Sequence, residues 1–400
     1  MSITILFLMS TMFIANIGYG VILPTLPFLS RHIGATSFEM GLALSVFAIA
    51  QLLSSSLWGV LSDRLGRRPV LICGIVGYGV SSALLGFAPH VAVLLTLRFL
   101  SGLFASAVMP ASLALAADWT KPGQRARTLG YMGAINGIGF IFGPPVGAFL
   151  SVIGLQVPFF TVGLLSVANG LIALRLLPRE EPLRQDPVGS NTKAALLPRP
   201  SRRAGALGSR MTAPFLFGTF VFALADASIT ATLAYYLTGH LHSTQTMAGW
   251  GFMVNGGMGA LTQGLLFSRV YGRYGETATI VLGFAFGSLG YFTLGMANWL
   301  AWAFAAIALL ALCRGFAYPA MTTAISVRTS QNAQGSSFGA QFTFNSLGRT
   351  IGPLIAGWLF TLKEPVPYFF SAALMFLTIG VYLAWVYAAR RHDRPLQGNK

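Results

Sequence analysis

Acidic residues are scarce: only 10 of the 400 residues are Asp or Glu, and charged residues of both signs make up 9% of the chain. That is about a third of the roughly 25% carried by a typical soluble domain. So few charges could not solvate a chain that is 54% hydrophobic and holds 31 phenylalanines, which excludes an ordinary soluble enzyme and a disordered chain. Cysteine is limited to Cys73 and Cys313, each inside an apolar run; this excludes a disulfide scaffold and reads as two buried free thiols. Histidine is limited to His32, His90, His240, His242 and His392, all expected in loops or tails. His240 and His242 stand two apart, too little for a metal site. HExxH, GxSxG and Walker sequences are absent, so the chain carries no motif for metal hydrolysis, serine catalysis or self-contained ATP-driven pumping. It reads as a non-enzyme that needs no cofactor and no metal.

Long apolar stretches dominate what remains. A spanning helix needs about 20 mostly apolar residues, and twelve stretches qualify: 5–28, 39–61, 69–89, 91–117, 128–152, 157–178, 213–238, 246–268, 276–296, 298–325, 335–360 and 366–388. The chain therefore reads as an all-α membrane protein with a lipid bilayer as solvent. The first run is too long for a signal-peptide core and lacks a basic leader, so it is read as the first span. Residues 1–178 form a first six-helix bundle, 179–212 a Pro- and Arg-rich cytoplasmic linker, 213–388 a second bundle and 389–400 a tail.

The net charge of +16 follows membrane topology and gives no nucleic-acid surface, because the basic residues fall in the gaps between spans. With the N-terminus inside, the inner segments hold twenty Lys and Arg and the outer loops only Arg31 and Lys363. This bias places both termini in the cytoplasm. The halves repeat at an offset of 209: Gly143-Pro144 matches Gly352-Pro353, Asn136 matches Asn345, Pro110 matches Pro319 and Gly66 matches Gly275. Such duplicated transporters place substrate near the membrane midplane between halves and rock one half on the other.

Four motifs carry a family resemblance. Gly59-Val-Leu-Ser-Asp63-Arg64-Leu-Gly66-Arg67-Arg68 resembles the G-x-L-x-D-R-x-G-R-R signature of the major facilitator superfamily. Its glycines allow a tight turn against the membrane face. Leu97-Arg98-Phe-Leu-Ser-Gly102 resembles the family's intramembrane Arg motif, and Gly139-Phe-Ile-Phe-Gly143-Pro144-Pro145-Val-Gly147 its antiporter motif. Asn16-Ile-Gly18-Tyr19-Gly20, with Pro24 and Pro27, is similar to the first span of the twelve-span drug:proton antiporters, which include tetracycline and quinolone exporters. The resemblance covers nearly the whole chain. It implies the major facilitator fold, two pseudo-symmetric six-helix bundles. It also implies a cytoplasmic gate in which Arg67 pairs with Asp118, a proton-coupling role for Arg98, and export from a bacterial inner membrane. Arg98 can also be read as an Arg near the outer surface that snorkels.

The chain departs from the usual exporter of cationic drugs. Of its acids only Asp226 lies deep in a span, against Arg314 and Arg349 at similar depth, and Asn16 stands where some relatives carry an acid. A cavity with this balance favours neutral or anionic cargo. Asp226 is expected to pair with Arg314 or Arg349 and to couple proton movement to transport. Gln341, Asn345 and Arg349 are four apart and share one face; Asn255 and Gln263 are eight apart and roughly do. With Asn136, Gln51, Tyr19 and Asn16 they are the candidate cavity residues, and Tyr235, Tyr236 and Phe140 candidate aromatic walls. The leading reading is a monomeric, proton-coupled exporter of small amphipathic molecules such as antibiotics. An exporter of an endogenous product such as a siderophore, and a solute:proton symporter, stand as alternatives.

Overall fold

The computed structural model describes residues 3–120, 124–177, 212–329 and 334–392. The expected linker and tail therefore lie almost wholly outside the described residues. Twelve helices follow one another: α1 (Ile3–His32), α2 (Ser37–Leu65), α3 (Arg67–Leu85), α4 (Val91–Asp118), α5 (Arg125–Ile153), α6 (Val157–Leu176), α7 (Ala213–Tyr235), α8 (Gln245–Leu261), α9 (Phe267–Gly295), α10 (Leu300–Val327), α11 (Gln334–Leu362) and α12 (Val366–His392). Among the described residues nine helical stretches are long and apolar enough to cross a bilayer.

Local chemistry sets the corners. Thr36 caps α2 reciprocally with Glu39: the Glu39 amide donates to Thr36 Oγ1 at 3.2 Å, and the Thr36 amide donates to Glu39 Oε2 at 2.7 Å. One of the few acids is thereby accounted for as a helix cap. A single residue, Gly66, separates α2 from α3. Its φ of 93° lies where only glycine sits without strain, and Gly275, 209 residues on, repeats it at 78° inside α9. Gly59, expected to serve the same turn, instead lies within α2 in open space; the helix runs on to Leu65, so Gly66 alone makes the corner. Two π-helical turns were not foreseen, Tyr236–His240 extending α7 and Thr262–Leu266 following α8.

The chain forms two compact units. The first takes in the first six helices together with 229–257 and 353–364; the second takes in 258–352 with the remainder of the later helices. In the first unit the core gathers Leu8 and Met12 of α1, Trp58 of α2, Leu71 and Ile75 of α3, and Leu115 of α4. Trp58 Nε1 donates to the Leu103 carbonyl at 2.7 Å, and Thr11 Oγ1 donates to Asn169 Oδ1 at 2.9 Å. Cys73, expected to be buried, is exposed on α3, while Cys313 is buried. An apolar helix has no polar face to mark which side turns outward, so sequence did not separate them.

The antiporter-motif residues are packing positions. A Cβ at Gly139 would come within 2.9 Å of the Phe13 carbonyl, and one at Gly143 within 2.7 Å of both the Ile17 carbonyl and Gly20 Cα; one at Gly147 would run into the Val21 carbonyl. Pro144 Cδ in turn sits 2.9 Å from where a Gly20 Cβ would be. So α1 and α5 meet backbone to backbone. The second unit repeats this at the same offset: Gly348 faces the Phe220 carbonyl and Gly352 the Leu224 carbonyl, at 2.6 and 2.8 Å from an ideal Cβ, joining α7 to α11. Lipid offers helices no hydrophobic reason to associate, so close packing of small residues supplies the contact.

Gly143→Ala is expected to destabilise by about 1–3 kcal/mol through overpacking. Gly130→Ala, on the same helix but facing open space, is expected to be neutral or to gain up to about 1 kcal/mol of helix propensity. The thermal midpoints of the two purified variants check both.

Candidate functional site

The midpoint of α7 holds Asp226, the acid that the sequence places deep in a span. Asp226 accepts a hydrogen bond from Arg314 Nη2 of α10, and each side chain is 29% exposed. Glycine makes room for the cation: an ideal Cβ at Gly259 would lie 3.2 Å from Arg314 Cδ. Beside the pair, the fully buried Tyr291 of α9 donates from Oη to the carbonyl of Ala225 at 2.7 Å. Of the two expected partners, Arg314 lies on Asp226. Arg349 lies exposed on α11, with its charge felt at the Tyr318 hydroxyl.

One face of α7 carries Thr219, Phe222 and Asp226 in succession, at the spacing of a helical stripe. Phe222 lies 5.9 Å from the Tyr318 ring. Gln341, 3% exposed, donates from Nε2 to Thr322 Oγ1 at 2.9 Å and to Thr219 Oγ1 at 3.4 Å. Asn345, one turn on, is half-buried. The second unit therefore holds an ion pair, an aromatic pair and an amide–hydroxyl network on α7, α10 and α11.

Arg98 is 1% exposed, which removes the snorkelling alternative. Its guanidinium lies 5.1 Å from the Phe47 ring centroid, and its charge acts on the Tyr19 and Tyr78 hydroxyls. Arg98 Nε and Nη2 are buried without a hydrogen-bond partner among the described residues, as are Tyr78 Oη and Ser82 Oγ. A cation–π contact supplies about 2 kcal/mol when desolvated, against an effective cost of several kcal/mol for burying an ion. Packing alone does not account for Arg98.

The other expected cavity residues scatter. Tyr19 stacks obliquely on Phe47 at 5.6 Å, and Asn16 Nδ2 donates to its own helix at the Met12 carbonyl, 2.9 Å away. Gln51 is half-buried on α2. Asn255 is 4% exposed, whereas Gln263 is exposed, so they do not share a face. Gln263 falls in the π turn after α8, whose wider winding shifts every later residue around the axis. The side chains of Asn136, Asp63 and Phe140 lie outside the described ones. Tyr235 and Tyr236 are buried, Tyr236 stacking on His240 at 4.8 Å.

At the α2–α3 corner Arg67 Nη1 donates to Asp118 and, at 3.0 Å, to the Ala114 carbonyl. Arg68 donates to the Leu174 carbonyl, and Arg64 is exposed. The corresponding corner at the Gly275 kink of α9 was missed. There Arg328 forks onto Glu276, with one bond of 2.8 Å, and Tyr382 Oη donates to the same carboxylate at 3.3 Å. Glu276 stands 209 residues after Arg67, so the corner repeats with its charges exchanged; the offset held the signal. The phenol of nearby Tyr271 is raised above its ordinary value, first by burial and then by Glu276, against Arg328. At the opposite end of the helices His240 Nδ1 lies 2.9 Å from Glu364 Oε2. His32, His240 and His392 lie at helix ends, where loops or tails were expected. No cluster of three metal-ligating side chains occurs among the described residues.

A family model described as Major Facilitator Superfamily matches residues 8–212 and 215–400. The chain is 28% identical to Multidrug resistance protein 1 of Bacillus subtilis, over 96% of each chain. It is 28% identical to Quinolone resistance protein NorA of Staphylococcus aureus, over 94% of this chain and 92% of that one. Among solved structures, a bacterial homolog of the human lysosomal transporter Spinster aligns with a TM-score of 0.77 at 16% identity, covering 97% of this chain and 96% of that one. The nucleoside transporter NupG aligns at 0.75 and 15%, over 96% and 99%.

Asp226→Asn leaves Arg314 facing a neutral amide. The single variant is expected to lose about 1–3 kcal/mol. Asp226→Asn combined with Arg314→Gln should recover part of that loss, because no uncompensated charge remains. Thermal unfolding of the wild type, both singles and the double variant measures the coupling.

Proposed function

The chain belongs to the major facilitator superfamily, and from that premise we propose that it is a proton-coupled exporter of small amphipathic molecules, antibiotics among them. The observation that carries the proposal is the Asp226–Arg314 pair. A carboxylate is the group in this pair that can take up a proton; Arg stays charged. Protonation of Asp226 cancels its half of the attraction and frees Arg314 to engage cargo or a different partner. Loss of the proton restores the pair and displaces what had bound. Carboxylate and cargo then compete for one guanidinium, so the charge state of Asp226 controls when cargo is held. Arg98, buried with no carboxylate on it among the described residues, is a second coupling residue on the family resemblance alone. Arg67 and Asp118 with Gly59, Asp63, Arg64, Gly66 and Arg68 form the gate, and the helices of the two halves provide alternating access.

The excess of Arg314, Arg349 and Arg98 over Asp226 favours neutral or anionic cargo. The names of the multidrug and quinolone resistance relatives support antibiotics over an endogenous product. The basic-residue bias supports a bacterial cytoplasmic membrane with both termini inside. One chain supplies both halves of the pathway, so a monomer suffices.

Everted membrane vesicles with a respiration-driven, inside-acid gradient test the proposal. Neutral and anionic compounds added outside should release protons from wild-type vesicles, and Asp226→Asn should cut that release at least about tenfold. Release with lipophilic cations alone, or full release from the Asp226→Asn variant, would sink it.

A further inference from the structure

We propose that the first six helices hold a ligand subsite of their own, an apolar pocket that takes the uncharged, hydrophobic body of a small molecule. The inference deepens the exporter reading and rests on it. The cavity has a volume of about 500 Å³ and is lined by Met12 of α1, Met109, Leu113 and Ala114 of α4, and Leu129 and Gly133 of α5. Its size falls within the roughly 300–1,000 Å³ of small-molecule sites. It lies toward the end where α4 stops and α5 starts: Ala114 is four residues before Asp118, and Leu129 four after Arg125. None of these six residues belongs to the ion-pair site on α7 and α10.

Three observations fix its chemistry. No lining side chain is polar or titratable. Beside it, the Arg67 guanidinium, which donates to the carbonyl of Ala114 itself, is matched by Asp118. Two of the six side chains are methionines, one at the floor (Met12, 1% exposed) and one at the mouth (Met109, 52% exposed). Unbranched, polarisable Met adapts to varied shapes.

Gly133 separates this pocket from ordinary packing. Further along α5, glycines 139, 143 and 147 are pressed against the backbone of α1, whereas a Cβ at Gly133 would meet nothing within 4 Å. Glycine here serves no helix contact and leaves a recess in the wall. A Cβ at this position meets no clash, so a side chain grown from it enters the recess with the backbone contacts of α1 and α5 left in place. Gly130, equally open but outside the lining, provides the matched control.

A phospholipid acyl chain shares the chemistry of such a body, and the test separates the two. The probe is N-phenyl-1-naphthylamine, uncharged and fluorescent, bound to the purified full chain in dodecyl maltoside and measured by equilibrium dialysis against matched micelles. Gly133→Phe should weaken binding about tenfold or more, while Gly130→Phe should stay within about twofold. Where Gly133→Phe does not accumulate, Met109→Cys in a Cys73→Ser background replaces it, and the probe should slow maleimide labelling of the introduced thiol. Equal binding by wild type and Gly133→Phe, or labelling unaffected by the probe, overturns the proposal. So does a co-purifying phospholipid that Gly133→Phe loses and the probe fails to displace. Gly133-sensitive binding without proton-driven export of the probe from vesicles upholds the pocket and removes the exporter reading instead.

Discussion

Helices in lipid gain nothing from hiding apolar surface from one another, so what brings two of them together is how closely their backbones can approach. In this chain that approach is set by glycines at matching places in the two halves. Gly139 and Gly143 grip α1 along Phe13, Asn16 and Ile17; Gly348 and Gly352 grip α7 along Phe220, Ala223, Leu224 and Ala227. The second grip flanks Asp226 on both sides. The acid can reach Arg314 because α7 is held at fixed depth and rotation by contacts within one turn of it. The α11 glycines that repeat the antiporter motif at the offset of 209 are, at the level of atoms, what fixes the helix carrying the ion pair.

The charges inside the helices divide by how they are compensated. Asp226 and Arg314 are matched and 29% exposed each, so their mutual attraction is neither fully screened nor fully dry. Arg98 is almost completely buried over Phe47, with guanidinium nitrogens left without partners. A ring quadrupole worth about 2 kcal/mol does not offset the penalty for burying a cation. That separates Arg98 from Arg67, whose bonds to Asp118 and Ala114 explain it where it stands.

Much of this was legible in the sequence. Twelve apolar runs gave twelve helices, and the offset of 209 is repeated in the positive φ of Gly66 and Gly275. The acids were few enough to place individually, so Asp226 stood out. What stayed hidden depends on rotation about a helix axis. In helices apolar all round, hydropathy does not tell a lipid-facing position from a buried one, so Cys73 and Cys313 looked alike. Two π turns carry no compositional signal, and one of them moved Gln263 off the face of Asn255. The pocket around Gly133 was invisible for a related reason: a glycine that packs and a glycine that leaves space are the same letter.

The two exchanged corners show how a duplication can diverge in strength while keeping its geometry. In both, a guanidinium sits at the C-terminal end of the fourth helix of its half, where the helix dipole favours a cation. In the first, Arg67 comes from α3, and the pair with Asp118 is 30% and 49% exposed. Exposed pairs of this kind contribute about 0–1 kcal/mol. In the second, Arg328 belongs to the end of α10 itself, bonds its own Ala324 carbonyl at 3.1 Å, and pairs with a Glu276 only 17% exposed. Phe215 of α7 lies 4.7 Å beneath that guanidinium, and Tyr382 of α12 bonds the carboxylate. Four helices are tied at the second corner and three at the first, where Arg68 also bonds the Leu174 carbonyl of α6. Within its own unit, the first ion pair is therefore the wetter and the less tied of the two.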